Sequence, residues 1–475
     1  MPHFLLFPAI LFAAGAAFAP AVPAAPVPWG TPAIAADTTW SGEILLRQSV
    51  TVSPGATLRI LPGTKVLIDG VDGIGITVLG RMVAGEKGKS PVEFLPLKPR
   101  GGKAQWEGIA LQGGTSAGHA LSRLRIAGAR EGVALTETAA AIEGVSFAGC
   151  STGIRWNQKS SASLDNCSFD GNDVGAFLSL GGEAVFRDCR FGNILVHGIV
   201  VDKGAALRVS GTSFSRGKTG IFSLTDAPCR VDRCEFNGLE KGIAARQMGK
   251  DSVVSRSSFE NNETGIFAVQ FSSLEVSDCG FRGNRTAVDV REFSTPSIHH
   301  NRFEGNEVSI NLFRKAHATV RSNVFFHNRN GIVINYSSYP LITGNNFDRN
   351  DMSVRLETFQ SGDWEARSGS SKLMAGEAAM RGSRNPNLEQ ALGTKGSFPM
   401  RVNAKGNYWG PDADRDPARG TLGKIRDGKT FGPVRYEGFG NEEYGIDVVD
   451  FSEESMKPVP GAGPRADAGT ERKPE

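Results

Sequence analysis

The sequence predicts an all-β fold, a single-stranded parallel solenoid built from coils of about 22 residues. Three observations carry that prediction. Ten phenylalanines recur through the middle of the chain, Phe147, Phe169, Phe191, Phe214, Phe236, Phe259, Phe281, Phe303, Phe325 and Phe347, each step being 22 or 23 residues. Other columns keep the same phase. Cys or Asn stands two residues before the Phe (Cys167, Cys189, Cys234, Cys279, Asn301, Asn323, Asn345), Asn often follows three after it, and a small residue then an aliphatic one follow at six and seven, as in Gly242-Ile243 and Gly331-Ile332. The apolar pattern within a unit alternates, as in Val288-Asp289-Val290, which is the period of a strand and not of a helix.

A unit this short holds three strands of three to five residues and their turns, too little for a propeller blade or a helix-bearing horseshoe. Successive coils then pair at about 4.8 Å, so equivalent side chains stack in ladders. A Phe ladder fills the interior. An Asn ladder satisfies its own amides from coil to coil. Ile126 takes the Phe slot one coil earlier, and Trp409 takes it late in the chain with Asn407 two residues ahead. The twelve recognisable coils give a rod on the order of 55–60 Å.

The remaining segments are read around that core. Residues 1–36 combine an apolar run from Phe4 to Phe18 with an Ala/Pro-rich stretch, the pattern of an export signal, with candidate cleavage sites at Ala17-Phe18-Ala19 and Ala33-Ile34-Ala35. This predicts a periplasmic or extracellular protein whose mature chain has no transmembrane span. Residues 37–125 form an N-terminal cap and irregular first coils, and residues 126–359 the regular helix. Between Phe347 and Trp409 the spacing is 62 residues, so about 40 are inserted near 360–400, with a possible short helix at Leu373–Met380. Residues 401–452 supply a terminal coil and cap. Residues 453–475, rich in Pro, Gly and charge, are expected to be disordered.

The composition, 59 Gly and 28 Phe against 5 Tyr, follows from the coils, and a formal net charge of +3 gives no case for nucleic acid. Of the six cysteines, Cys167, Cys189, Cys234 and Cys279 share one interior column and are expected to be core thiols rather than staples. His299, His300, His317 and His327 differ in their offsets from the Phe slot, so they do not predict a metal site, and no cofactor is expected.

Pro62-Gly63-Thr64-Lys65-Val66 with Trp106-Glu107-Gly108-Ile109 resembles the entry segment of exported right-handed parallel β-helix proteins. Asn407-Tyr408-Trp409-Gly410-Pro411 with Ile425-Arg426-Asp427-Gly428 resembles their terminal coil. The Phe/Asn/Gly-Ile unit is similar to the repeat of the carbohydrate-binding and sugar-hydrolase-like β-helix superfamily, which includes the periplasmic accessory proteins of nitrous oxide reductase copper maturation. The resemblance spans residues 40–450. It implies a right-handed β-helix and leaves function open, because one solenoid hosts lyases, hydrolases, epimerases, adhesins and binding proteins.

A β-helix presents its chemistry on an outer face, in columns contributed by successive coils. On the late coils the residue after the inward aliphatic is Asp289, Asn311, Val333 or Arg355, and two further on stand Arg291, Phe313, Asn335 and Glu357. Asp289, Arg291, Asn311, Phe313, Asn335, Arg355 and Glu357 are the candidate ligand-binding residues, with the insertion as a lid over them. The same columns read more apolar earlier: Phe177, Phe222, Ala244, Phe267, and Ser179, Leu224, Arg246, Val269. No catalytic set emerges. Asp289 and Glu357 lie three coils apart, about 14 Å by coil spacing, too far to act on one glycosidic bond. The expected function is binding of an extended ligand, a polysaccharide, without catalysis. The alternatives are a polysaccharide lyase or glycoside hydrolase, in which Asp289 and Arg291 would act, and an accessory or surface-structural protein with an envelope protein partner.

Overall fold

The computed structural model describes residues 26–70, 73–99, 105–114, 117–202, 204–224, 228–368, 399–416, 418–436 and 442–465. They form a parallel β-helix of about 14 coils with almost no helix. A representative coil contains Ser146–Ala148, Thr152–Asn157 and Ser161–Asp165. The first two strands of each coil join a 28-stranded sheet that turns a corner, and the third joins a 16-stranded sheet.

The Phe column stacks in register. Phe147 pairs with Phe169 and so on to Phe347, with ring centroids 4.4–4.9 Å apart throughout. Ile126 holds the slot before Phe147, and Trp409 stacks on Phe347 at 4.8 Å. The small residue before each aliphatic is explained by this stack. A Cβ on Gly242 would lie 2.5 Å from the Gly265 carbonyl and 2.9 Å from the Phe259 ring.

Two Asn ladders run beside it, not one. In the first, Asn262, Asn284, Asn306 and Asn328 each pass an Nδ2 hydrogen bond to the Oδ1 of the next Asn at 2.9–3.0 Å, and Asn350 ends the ladder by donating to the Phe325 carbonyl. The second runs through Asn301, Asn323, Asn345 and Asn407 at the same spacing. Each Asn also donates to a main-chain carbonyl of a preceding coil, so every buried amide is paired. Asn407 ends its ladder by donating to the carbonyls of Ile342 and Ala404, which accounts for the Asn in the terminal motif. The six cysteines are buried free thiols.

The ends depart from expectation. Val27–Pro28 pairs with Ile44–Leu45 and Ala33–Ile34 with Thr51–Val52, and Trp29 packs edge-on to Trp40. Residues 26–36 therefore contribute paired strands to the first coil. Cleavage at Ala33-Ile34-Ala35 would remove two paired strands. The expected disorder of 453–475 is also overturned as far as Arg465. That segment runs back along one edge of the solenoid: Asn346 exchanges two hydrogen bonds with Val459, Gly463 donates to the Ser322 carbonyl, and Arg465 pairs with Asp278. Its Pro and Gly bar regular structure, but they do not bar an extended strap whose polar groups find partners on the turns. Residues 466–475 lie outside the described residues.

The insertion begins with Gly362–Ser368, a short helix rather than a loop. It seals the C-terminal edge. Glu365 pairs with Lys315, both nearly covered, while Asp447 accepts from Gln360 Nε2 and the Gly362 amide. The helix expected at Leu373–Met380 lies outside the described residues. In the cap, Asp427 accepts from the amides of Lys429 and Val449, and a Cβ on Gly428 would strike the Ile446 carbonyl at 2.1 Å, which explains the Asp-Gly of the terminal motif.

Candidate functional site

The face carrying the Gly-Ile strands holds the predicted residues, and their columns form as read. Asp289, Asn311, Val333 and Arg355 stand in one register, with Arg291, Phe313 and Asn335 in the next. The chemistry of this late patch differs from the expectation. Asp289 points away from the core yet is only 6% exposed. The guanidinium of Arg291 lies on it at 2.8 Å, and Asn311 Nδ2 donates to it at 2.8 Å. Arg355 pairs with Glu357 at 2.8 Å. The Asn335 side chain accepts from the Tyr336 amide, and Phe313 lies between Arg291 and Tyr336. The late patch spends its polar groups on itself. Its lone carboxylates are tied to neighbouring guanidinium groups, and none faces a second carboxylate across a gap.

The open site lies on the same columns nearer the N-terminus. A groove of about 340 Å³ is lined by His197, Thr219, Phe222, Lys241, Ala244, Arg246, Phe267, Gln270 and Glu292 among others. The outer column through it reads Phe177, Val200, Phe222, Ala244, Phe267, one residue per coil in continuous register. Strand alternation turns Ile199, Ile221, Ile243 and Ile266 inward and these residues outward. The Phe rings are half-buried, with cations against them: Arg155 over Phe177 at 4.6 Å, and Lys241 and Arg291 over Phe267, each at 5.6 Å. His197 stacks on Phe222 at 4.8 Å. Burial, then the nearby Lys218 and Lys241, hold His197 below the usual histidine range. Arg246 hydrogen-bonds the neutral side chain of Gln270.

A larger concavity, about 640 Å³, sits nearer the N-terminus against Leu67, Leu95, Pro96, Leu97 and Leu195. Its cation, Arg125, is paired with Glu93, and its lining includes Pro99 and Gln105. Size favours it; chemistry favours the smaller groove, where aromatic faces and cations converge.

The histidines scatter. The Nδ1 atoms of His299 and His300 lie 2.9 Å apart, while His317 Nδ1 accepts from the Tyr339 amide and His327 stacks on Phe326. Among the described residues no three His, Cys, Asp or Glu side chains converge to hold a metal, and no helix is long and apolar enough to cross a membrane.

Coils, ladders and a columned outer face define a parallel β-helix repeat protein. Sequence comparison carries this one step further. The family described as the right handed beta helix region matches residues 103–236, 181–325 and 242–369, together more than half of the chain, and the chain belongs to that family. A comparison with curated proteins returned no match.

Proposed function

We propose that this is an exported β-helix protein that binds an extended polysaccharide along its outer Gly-Ile face, without chemistry of its own. One observation carries the reading: half-buried Phe177, Phe222 and Phe267 recur at every second coil of one column, with cations against the Phe177 and Phe267 rings. Aromatic faces suit the apolar faces of sugar rings, and the flanking donors suit their hydroxyls. The coil rise of about 4.8 Å is close to the length of one sugar residue in an extended chain, so a polymer lying along the axis meets equivalent surroundings repeatedly. The proposed site thus moves from the seven late residues to the coils between His197 and Glu292. The lyase or hydrolase alternative loses support because Asp289 is covered by Arg291 and Asn311.

The test is a binding screen of the full chain against extended neutral and acidic glycans, with product analysis on every positive. Binding without cleavage, weakened at least tenfold in Phe222→Ala and Phe267→Ala, is the expected result. Turnover lost in Asp289→Ala would replace this reading with the enzymatic one. Recovery of the chain from the periplasmic or medium fraction checks export.

A further inference from the structure

The outer column has a gap with a definite shape. Phe222 and Phe267 are two coils apart, about 10 Å, and the residue between them is Ala244, which is 7% exposed. The orientation of the rings follows from what lies against them. His197 stacks on Phe222 from the preceding coil with an interplanar angle of 13°. Lys241, from the coil before Phe267, and Arg291, from the coil after, both sit over the Phe267 ring. The ring faces therefore look up and down the solenoid axis. Inside the solenoid, Phe rings one coil apart stack at 4.4–4.9 Å. The space between Phe222 and Phe267 has the width of one absent rung, with Ala244 as its floor and the Lys241 ammonium at its Phe267 wall.

The electrostatics of this slot differ from those of its surroundings. Elsewhere on the face the cations are matched: Arg155 with Glu131, Arg285 with Glu263, Arg291 with Asp289, Arg355 with Glu357. On the strand Glu235–Arg246, Lys241 stands three residues before Ala244 and Arg246 two after it, and Lys218 lies one coil away. Among the described residues neither Lys218 nor Lys241 has a carboxylate within ion-pair distance, and Arg246 meets the neutral Gln270. The acid of the groove, Glu292, faces Arg314 at 3.7 Å. The slot is left with a surplus of positive charge beside two aromatic faces.

We propose that the slot takes one anionic sugar ring of an acidic polysaccharide, the ring standing between Phe222 and Phe267 over Ala244, with its carboxylate or sulfate reaching Lys241. This rests on the polysaccharide reading of the face and names the class of polymer. Because its plane lies across the axis, the ring in the slot is a terminal or branch residue, and the rest of the polymer continues along the face outside the slot.

The full chain is titrated with three oligosaccharides of equal length: an oligouronate, a sulfated one and a neutral one. At low salt at least one acidic arm binds ten times tighter than the neutral arm, and the difference shrinks as salt is added. The arm that binds better identifies carboxylate or sulfate. Ala244→Phe places a ring where the neighbouring coils already carry one, so it folds with an unchanged unfolding midpoint and loses at least tenfold in acidic binding. Lys241→Gln abolishes most of the preference for acid, lowering acidic binding at least tenfold and neutral binding by much less. Acidic binding unchanged in a folded Ala244→Phe, or equal affinity for all three arms, overturns the slot while the polysaccharide reading stands. Failure of every glycan to bind removes both.

Discussion

The late patch and the groove use one pair of columns on one face, and they differ in how charge is settled. At the late patch every guanidinium has a carboxylate beside it, and Asp289 is bridged by Arg291 and Asn311. In the groove, Lys241 stands beside the Phe267 ring with no carboxylate at ion-pair distance among the described residues, and Ala244 leaves a ring's width open. A patch that satisfies itself contributes a solvated surface. A patch left unsatisfied is where a ligand supplies what is missing.

The largest expected effect separates the inside of a coil from its outside. Phe236→Ala removes a rung from the interior stack and should cost about 3–5 kcal/mol, read from denaturant unfolding. The outer Phe222→Ala, on the next strand of the preceding coil, should cost about 1 kcal/mol or less while glycan binding falls tenfold or more. If both variants lost stability equally, the outer ring would be a structural rung and the comparison would collapse.

Asn306→Ala comes next. It deletes the donor to the Phe281 carbonyl and Asn328 and the acceptor of Asn284. Buried groups left unpaired predict a loss of about 2–3 kcal/mol, with glycan affinity unchanged.

Acid should weaken the C-terminal edge through His317. Burial pushes His317 down to about 4, and Lys315 adds to this. The folded state therefore resists protonation that the unfolded chain accepts near 6.5. The stability His317 contributes is complete above that value and is lost as pH falls from about 6.5 towards 4. Burial raises Asp447, which acts in the opposite sense. Its stability is present in acid and is lost as pH rises through its folded value. His317→Gln should flatten the loss between pH 6.5 and 4, measured by thermal unfolding across that range.

The smallest effect is at the strap. The Arg465 side chain is more than half exposed, so Arg465→Ala should change global stability by under about 1 kcal/mol. It should nevertheless release the segment after Val459 to limited proteolysis. Unchanged protection would mean that Asn346 and Ser322 hold the strap without the ion pair.

The period of the Phe column made the fold legible, because a fixed repeat leaves few ways to stack, and the Asn, Cys and Gly columns fell into place with it. The site was only half legible. Strand alternation put Asp289, Asn311, Arg291 and Phe313 on the outer face, where the structure has them, but spacing does not show that Arg291 folds back onto Asp289. Phe177, Phe222, Ala244 and Phe267 read as an apolar stretch, and Val200 joins their column only in the structure. The available signal was the alternation of large and small with period two in coils, together with Lys241 three residues before Ala244. The strap was missed for another reason. Composition reports the absence of a core-forming pattern, whereas Val459, Gly463 and Arg465 are held by main-chain atoms and one carboxylate on distant turns.

The most direct test of the account is a hydroxyl-radical footprint of the full chain with and without an acidic oligosaccharide that binds it. Phe222 and Phe267 should be protected at saturating ligand, while Phe313, Phe326 and Tyr336 keep their free-state reactivity. Protection centred on Phe313 and Tyr336, with Phe222 and Phe267 unchanged, would return the site to the late patch and contradict the account.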